Sequence, residues 1–269
     1  MKQMEKASSY EAFAHVYDTF MDNIPYEEWS RYLISLLKKY GIHEGILVDL
    51  GCGTGSMTQL LAKEGYDMIG IDNSIDMLEI AREKMMDSSE QILYLLQDMR
   101  EFELYGTVHG IVSVCDSMNY ITEKEDLVKI FRLANNYLEP RGYFIFDMNT
   151  EYKYKTQLGQ KTIAEDREDM SFIWDNYYDE NEKINEYSLS IFVQEEEDLY
   201  RKYEEVHYQR AYSLEEVKEA MKEAGMEFVA AYDAFTQEEP KETSERIYIV
   251  ARETFQANKK YEAIDEPNQ

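Results

Sequence analysis

The segment Val48-Asp49-Leu50-Gly51-Cys52-Gly53-Thr54-Gly55 constrains the fold more than any other part of the chain. Ile46, Leu47, Val48 and Leu50 form a run too short and too β-branched for a helix, so it reads as a buried parallel strand. Three alternate glycines then turn the chain, with no Cβ to keep a ligand from the backbone. Ser56 to Lys63 follows as a helix ended by Gly65, and Ile71-Asp72 closes a second strand. A dinucleotide loop needs a third glycine where this chain has Ser56, and a P-loop needs Gly-Lys-Ser/Thr where it has Gly55-Ser56-Met57. Asp72 lies about 20 residues past the first glycine, the separation at which a carboxylate accepts from ribose hydroxyls. A ribose is expected, and a pyrophosphate is not.

With these residues the chain resembles the class I, Rossmann-like S-adenosylmethionine-dependent methyltransferases, whose first motif is an acidic residue followed by Gly-x-Gly-x-Gly, here Asp49, Gly51, Gly53 and Gly55. Ile69-Gly70-Ile71-Asp72 with Ser74 to Met77 is similar to the second strand and helix start of that family. Gln97-Asp98-Met99-Arg100 is similar to its acidic segment after the third strand. Ile111 to Asn119 matches the fourth strand and its tip, and Gly142 to Asp147 the fifth. The resemblance spans Tyr10 to Ala251. It implies S-adenosylmethionine as cofactor, with Asp72 on the ribose, Asp98 accepting from the adenine amino group and Met99 donating a backbone N–H. It also implies cofactor contacts at Tyr17, Cys52, Asn73, Met77, Cys115 and Asp116.

The expected architecture is α/β: a mostly parallel seven-stranded sheet with helices on both faces, plus a small antiparallel β insertion acting as a lid. Residues 1–40 read as an N-terminal helical cap, broken at Asp22-Asn23-Ile24-Pro25. Residues 41–150 and 212–252 form the cofactor-binding core. Residues 151–211 form the antiparallel insertion; from Lys161 to Gln209 apolar and polar residues tend to alternate, with strands expected at Phe172-Ile173-Trp174, Tyr187 to Val193 and Tyr203 to Tyr208. Ser213-Leu214-Glu215-Glu216 is a capping box opening a helix stopped by Gly225. Met226 to Tyr232 and Arg246 to Ala251 close the sheet as a hairpin. Residues 253–269, polar and poor in apolar side chains, read as a flexible tail. In open α/β sheets ligands bind beyond the carboxyl ends of the strands, so an insertion leaving the fifth strand at Asp147-Met148-Asn149 is placed to roof the site.

A formal charge of −27, from 55 acidic against 28 basic residues, disfavours nucleic acid and anionic membrane partners. A neutral or cationic small-molecule acceptor suits that field, although the charge also serves solubility alone. No apolar run is long enough to span a bilayer, and residues 1–17 lack a signal-peptide core, so a cytoplasmic protein is expected. Cys52 and Cys115 read as reduced, incidental thiols. The four histidines, His15, His43, His109 and His207, show no metal-ligand spacing, and no metal is expected. Monomer and homodimer both remain open.

Methyl transfer needs an aligned nucleophile, exclusion of water and at most one base. Three groups of residues could supply these functions. Tyr10, Tyr17 and Trp29 stand in the N-terminal segment, which the resemblance implies covers the cofactor, where a ring favours a sulfonium, with Tyr10 and Trp29 as candidate substrate contacts; the alternative is that these rings pack the segment on the core. Asp116, Ser117, Asn119 and Tyr120, past the fourth strand, either contact substrate or form a turn and cap; Asn149 stands at the neighbouring strand end. His207 and Gln209 share one strand face, Tyr208 and Arg210 the other, and only one pair can face a cavity. His207 is a candidate base, with Asp116 the other catalytic candidate, and Arg210 a candidate substrate contact. The tyrosine-rich insertion either lines an aromatic pocket or supplies ordinary sheet side chains. Besides small-molecule transfer to oxygen or nitrogen, the sequence leaves open a protein or RNA acceptor, or a non-catalytic module that binds the cofactor.

Overall fold

The computed structural model describes residues 17–18, 22, 24–196 and 199–254. In chain order the elements are α1 (Tyr26–Lys39), β1 (Gly45–Leu50), α2 (Ser56–Lys63), β2 (Tyr66–Asp72), α3 (Ile75–Met86), β3 (Leu93–Leu96) and β4 (Val108–Ser113). A 3-10 turn (Ser117–Tyr120), α4 (Lys124–Tyr137) and β5 (Leu138–Asn149) follow. A helical turn (Glu151–Lys153) continues as a π turn (Tyr154–Leu158) into β6 (Thr162–Asp166), β7 (Met170–Asp179), β8 (Ile184–Glu196) and β9 (Leu199–Arg210). The chain ends with α5 (Leu214–Ala224), β10 (Glu227–Asp233) and β11 (Arg246–Arg252).

Seven strands form one sheet in the order β10-β11-β5-β4-β1-β2-β3. β1 to β5 are parallel, and β11 runs antiparallel to both β5 and β10. Strand alternation divides the core. Leu47, Val112, Ile145 and Val250 face the apolar sides of α1, α2 and α3 through Leu33, Leu61 and Leu78. Val48, Ile111, Phe144 and Ile249 face α4 and α5 through Phe131 and Met221. Strand order reverses between β1 and β4, the switch point where open α/β sheets bind ligands.

The insertion is a second, antiparallel sheet, β6-β7-β8-β9. β6 was not expected from sequence: five residues alternating Thr162, Ala164 and Asp166 with Ile163 and Glu165 carry too little apolar signal. The π turn was not expected either, because the i→i+5 bond from Gly159 N–H to Tyr154 O (2.6 Å) leaves no periodic pattern to read. At the base of this sheet Asn119 ties three segments together. Its Nδ2 donates to Asn149 O (3.1 Å) and Arg210 O (2.9 Å), and its Oδ1 accepts from Asn149 N–H (2.9 Å). The exit and the return of the insertion are thus pinned to the tip of β4.

The capping box of α5 forms with both of its hydrogen bonds, and Gly225 takes the left-handed conformation that ends the helix. The tail boundary differs from the sequence reading. Glu253 is buried, its N–H donates to Gly142 O (2.9 Å), and its Oε2 accepts from Arg141 N–H (2.7 Å). Thr254 N–H donates to Asn135 Oδ1 (3.3 Å). Residues 255–269 lie outside the described residues, as does Tyr10. Among the described residues no helix is long and apolar enough to cross a membrane.

Candidate active site

The carboxyl ends of β1, β2 and β4 open into a cavity of about 840 Å³ roofed by the inner face of the β6–β9 sheet. Gly51, Cys52 and Gly53 form one wall with Asp49 beneath them. Gly53 adopts φ +52°, and a Cβ there would meet nothing within 4 Å, so bare backbone borders the cavity. Gly51 is glycine for a different reason: a Cβ would stand 2.8 Å from Ser117 Cβ. Gly55 does not line the cavity. It takes φ +75° beneath Tyr94, whose Oη would lie 2.4 Å from a Cβ, so its role is to let α2 begin against that ring.

Asp72 lines the cavity and holds the loop. Its Oδ2 accepts from Gly53 N–H (2.8 Å) and its Oδ1 from Ser74 N–H (2.9 Å). Burial raises its pKa against the pull of those N–H donors. Asp49 is fully buried, accepts from Thr58 Oγ1 (2.6 Å), and is pushed by burial up to about 6. Asn73, Met77 and Met99 lie on the same side. Asp98 also lines the cavity, and Arg100 Nε donates to both of its oxygens (2.9 and 3.0 Å). That bond holds its carboxyl below the usual range.

Tyr17 and Trp29 line the cavity from the N-terminal side. Asp18 fastens that side to the glycine loop, accepting from Thr54 Oγ1 (2.7 Å) and pairing with Lys84. Cys52 and Cys115 both face the cavity, and burial pushes both thiols well above their ordinary pKa, which disfavours the thiolate.

Beyond β4, Cys115 and Asp116 take consecutive left-handed conformations, φ 61° and 56°. Buried Asp147 at the end of β5 secures this turn, accepting from Cys115 N–H (3.1 Å) and Asp116 N–H (2.7 Å). Arg246, the first residue of β11, donates to Asp147 Oδ2 (2.7 Å) and Asp116 Oδ1 (2.6 Å). Gln209 of β9 donates to Asp116 Oδ2 (2.8 Å), while its Oε1 accepts from Tyr154 Oη (2.8 Å) and Tyr187 Oη. One polar chain therefore runs from the sheet core to the roof. Sequence reading missed Arg246 and Asp147 as members, since 99 residues separate them.

On the roof, alternation puts Trp174, Leu189 and Glu205 in one cross-strand row and Tyr187 with His207 in the next. His207 faces the cavity with Gln209, and its Nε2 lies 2.7 Å from Oε2 of buried Glu205. Its ring meets Tyr120 edge-on at 5.9 Å. Arg210 is on the opposite face and does not line the cavity. It donates to Thr122 O (3.0 Å), lies over the Tyr212 ring and pairs with Glu216. Asn119 is likewise taken up by the backbone bonds at the insertion base, whereas Asn149 and Tyr120 reach the cavity. Of the tyrosines in the insertion and its exit, Tyr187 lines the cavity, Tyr178 and Tyr212 are buried elsewhere, and Tyr177, Tyr200 and Tyr208 are exposed.

Residues 47–142 match the family model described as "Methyltransferase domain". The chain is 35% identical over 246 residues to the "Putative methyltransferase YqeM" of Bacillus subtilis (strain 168), covering 91% of this chain and 97% of that one. It is 33% identical over 102 residues, 38% of this chain and 41% of the other, to the Streptomyces venezuelae dTDP-3-amino-3,4,6-trideoxy-alpha-D-glucopyranose N,N-dimethyltransferase. In solved structures it is similar to an S-adenosylmethionine-dependent methyltransferase from Clostridium acetobutylicum ATCC 824, with TM-score 0.81, 27% identity, and coverage of 91% of this chain and 99% of that one.

Proposed function

Because the chain belongs to the class I S-adenosylmethionine-dependent methyltransferases, we propose that it methylates a nitrogen or oxygen atom of a small molecule held beneath the β6–β9 roof. One observation carries this reading: the glycine loop and the inner face of the roof border a single cavity of about 840 Å³. That volume is near the top of the roughly 300–1,000 Å³ usual for small-molecule pockets, which leaves room for an acceptor beside the cofactor. The N,N-dimethyltransferase among the relatives acts on an amino sugar and supports a small acceptor.

The residues fit the cofactor. Bare backbone at Gly53 allows close approach, and Asp72 is placed as the ribose acceptor, with lone pairs beyond those used by Gly53 and Ser74. Met99 and Asp98 border the adenine side, where Asp98 would share its carboxylate between Arg100 and the amino group. S-adenosylmethionine supplies a sulfonium methyl open to in-line attack. The chain's own work is then alignment and exclusion of water by Trp174, Tyr187, Leu189 and Phe172. Asp116, fixed by Arg246 and Gln209, orients the acceptor from the floor. His207 accepts the acceptor's proton, with Glu205 steadying the imidazolium that forms.

The test is incubation of the protein with methyl-labelled cofactor and a library of small amines, alcohols and phenols, followed by size separation of the labelled product. Label in the small-molecule fraction supports the reading, and label confined to added protein or RNA overturns it.

A further inference from the structure

Among the described residues three lysine and arginine side chains line the large cavity, Arg100, Lys153 and Arg246. Arg100 pairs with Asp98 and Asp126, and Arg246 with Asp147 and Asp116. Lys153 is different. Its ammonium donates to the neutral Asn149 Oδ1 (2.9 Å) and makes no ion pair among the described residues. The nearby carboxylates of Asp116 and Asp147 are already taken by Arg246. A half-buried ammonium held by one amide oxygen is costly unless a counter-charge arrives. Burial, and then the Arg246 guanidinium, hold its pKa below the usual lysine value, in keeping with that shortage.

Its position says where the counter-charge would come from. Lys153 follows β5 in the turn capped by Thr150, and it belongs to the wall shared by the large cavity and a second one of about 450 Å³. Ile24, Trp29 and Arg246 complete the junction, and the Arg246 guanidinium lies 5.0 Å over the Trp29 ring. Beyond the junction is buried Ser244, whose Oγ accepts from Lys241 N–H (2.9 Å), leaving its O–H as a donor. The acids of the smaller cavity are Asp233 and the exposed Glu245.

We propose that the acceptor carries an anionic group, a carboxylate or a phosphate, that pairs with Lys153 at the junction of the two cavities while its nucleophilic atom lies in the larger one. This inference rests on the small-molecule reading above and narrows its substrate class. A chain of net charge −27 repels anions at long range, so it is the local cation that holds this group. Selection then falls on acceptors whose charge and nucleophile are separated by the distance from the junction to the methyl group.

The test is calorimetric titration of the full chain, saturated with S-adenosylhomocysteine, with methyl phosphate, acetate and uncharged trimethyl phosphate. The expected result is saturable binding of methyl phosphate or acetate and none of trimethyl phosphate; the anion that binds identifies the class. Lys153→Met should weaken that binding at least about tenfold, the loss expected for a charge-assisted contact, with unchanged affinity for S-adenosylhomocysteine. Lys153→Gln carries the same expectation if the methionine variant does not fold. Absence of saturable anion binding to the wild type overturns the proposal, as does equal binding by a folded variant. Failure of the small-molecule reading is separable, because it appears as labelled methyl in macromolecules.

Discussion

Asp49→Asn separates the stability of the site from its use. Asp49 is 1% exposed, and burial raises its carboxyl from 3.8 to about 6 against the opposing Thr58 hydroxyl bond. At 1.36 kcal/mol per unit, keeping this side chain ionised in the cofactor-free protein costs about 2–3 kcal/mol at neutral pH. The sign follows from proton binding. The folded state holds the proton more tightly than the unfolded chain, so stability from Asp49 is fully present below about pH 4 and is lost as pH rises through about 6. Asparagine keeps an oxygen for Thr58 and cannot ionise. The stability of the variant relative to wild type should therefore grow by about 2–3 kcal/mol between about pH 4 and about pH 7. In a domain of this size that is a Tm difference opening by roughly 4–12 °C. Any cost of burying the new amide enters equally at both pH values and cancels. Urea unfolding across that range, with unchanged m-values, measures the difference; a flat difference would refute the burial argument. The same variant should bind S-adenosylmethionine more weakly, because Asp49 lies beneath the glycine loop, and a gain in stability with a loss of binding is the mark of a strained functional group.

Asp72→Ala should weaken S-adenosylmethionine at least about tenfold, since hydrogen bonds to a charged acceptor contribute about 1.5–3 kcal/mol; unchanged affinity in a folded variant would remove the ribose assignment. Arg246→Met should cost about 3–5 kcal/mol of folding free energy by leaving Asp147 and Asp116 without their shared cation. Burial already raises the Asp147 pKa, so without Arg246 the loss should be larger at neutral than at acid pH. Urea titration reads this, and a pH-independent loss below about 1 kcal/mol would count against the network. His207→Ala should leave cofactor affinity unchanged and lower turnover of a small acceptor by about 10²–10⁴-fold, as loss of a general base does; full turnover would exclude it as base.

The cofactor half of the site was legible because its requirements are local. Gly51 and Gly53 both take positive φ, +73° and +52°, which glycine adopts without strain, and Asp72 follows at a spacing fixed by one strand–helix–strand unit. The acceptor half was legible only as alternatives. Alternation paired His207 with Gln209 against Tyr208 and Arg210, yet a strand carries no record of which face its sheet turns inward. The choice came from packing, with Tyr187 and Leu189 lining the cavity while Val206 and Tyr208 are exposed. Asn119 misled for a related reason. An asparagine at a strand tip is read as ligand-facing or as a local cap, whereas here it ties Asn149 to Arg210, 30 and 91 residues away. Arg246 and Lys153 gave no signal because neither lies in a motif; each acquires meaning from carboxylates brought near it, or withheld from it, by the fold. That asymmetry has a physical root. A cofactor shared across a family is met by backbone conformation, which sequence encodes directly. An acceptor particular to one enzyme is met by side chains on an inserted sheet, whose charges are balanced only after distant strands have paired. Unmatched charge in that sheet's neighbourhood, as at Lys153, is therefore the more direct guide to the acceptor.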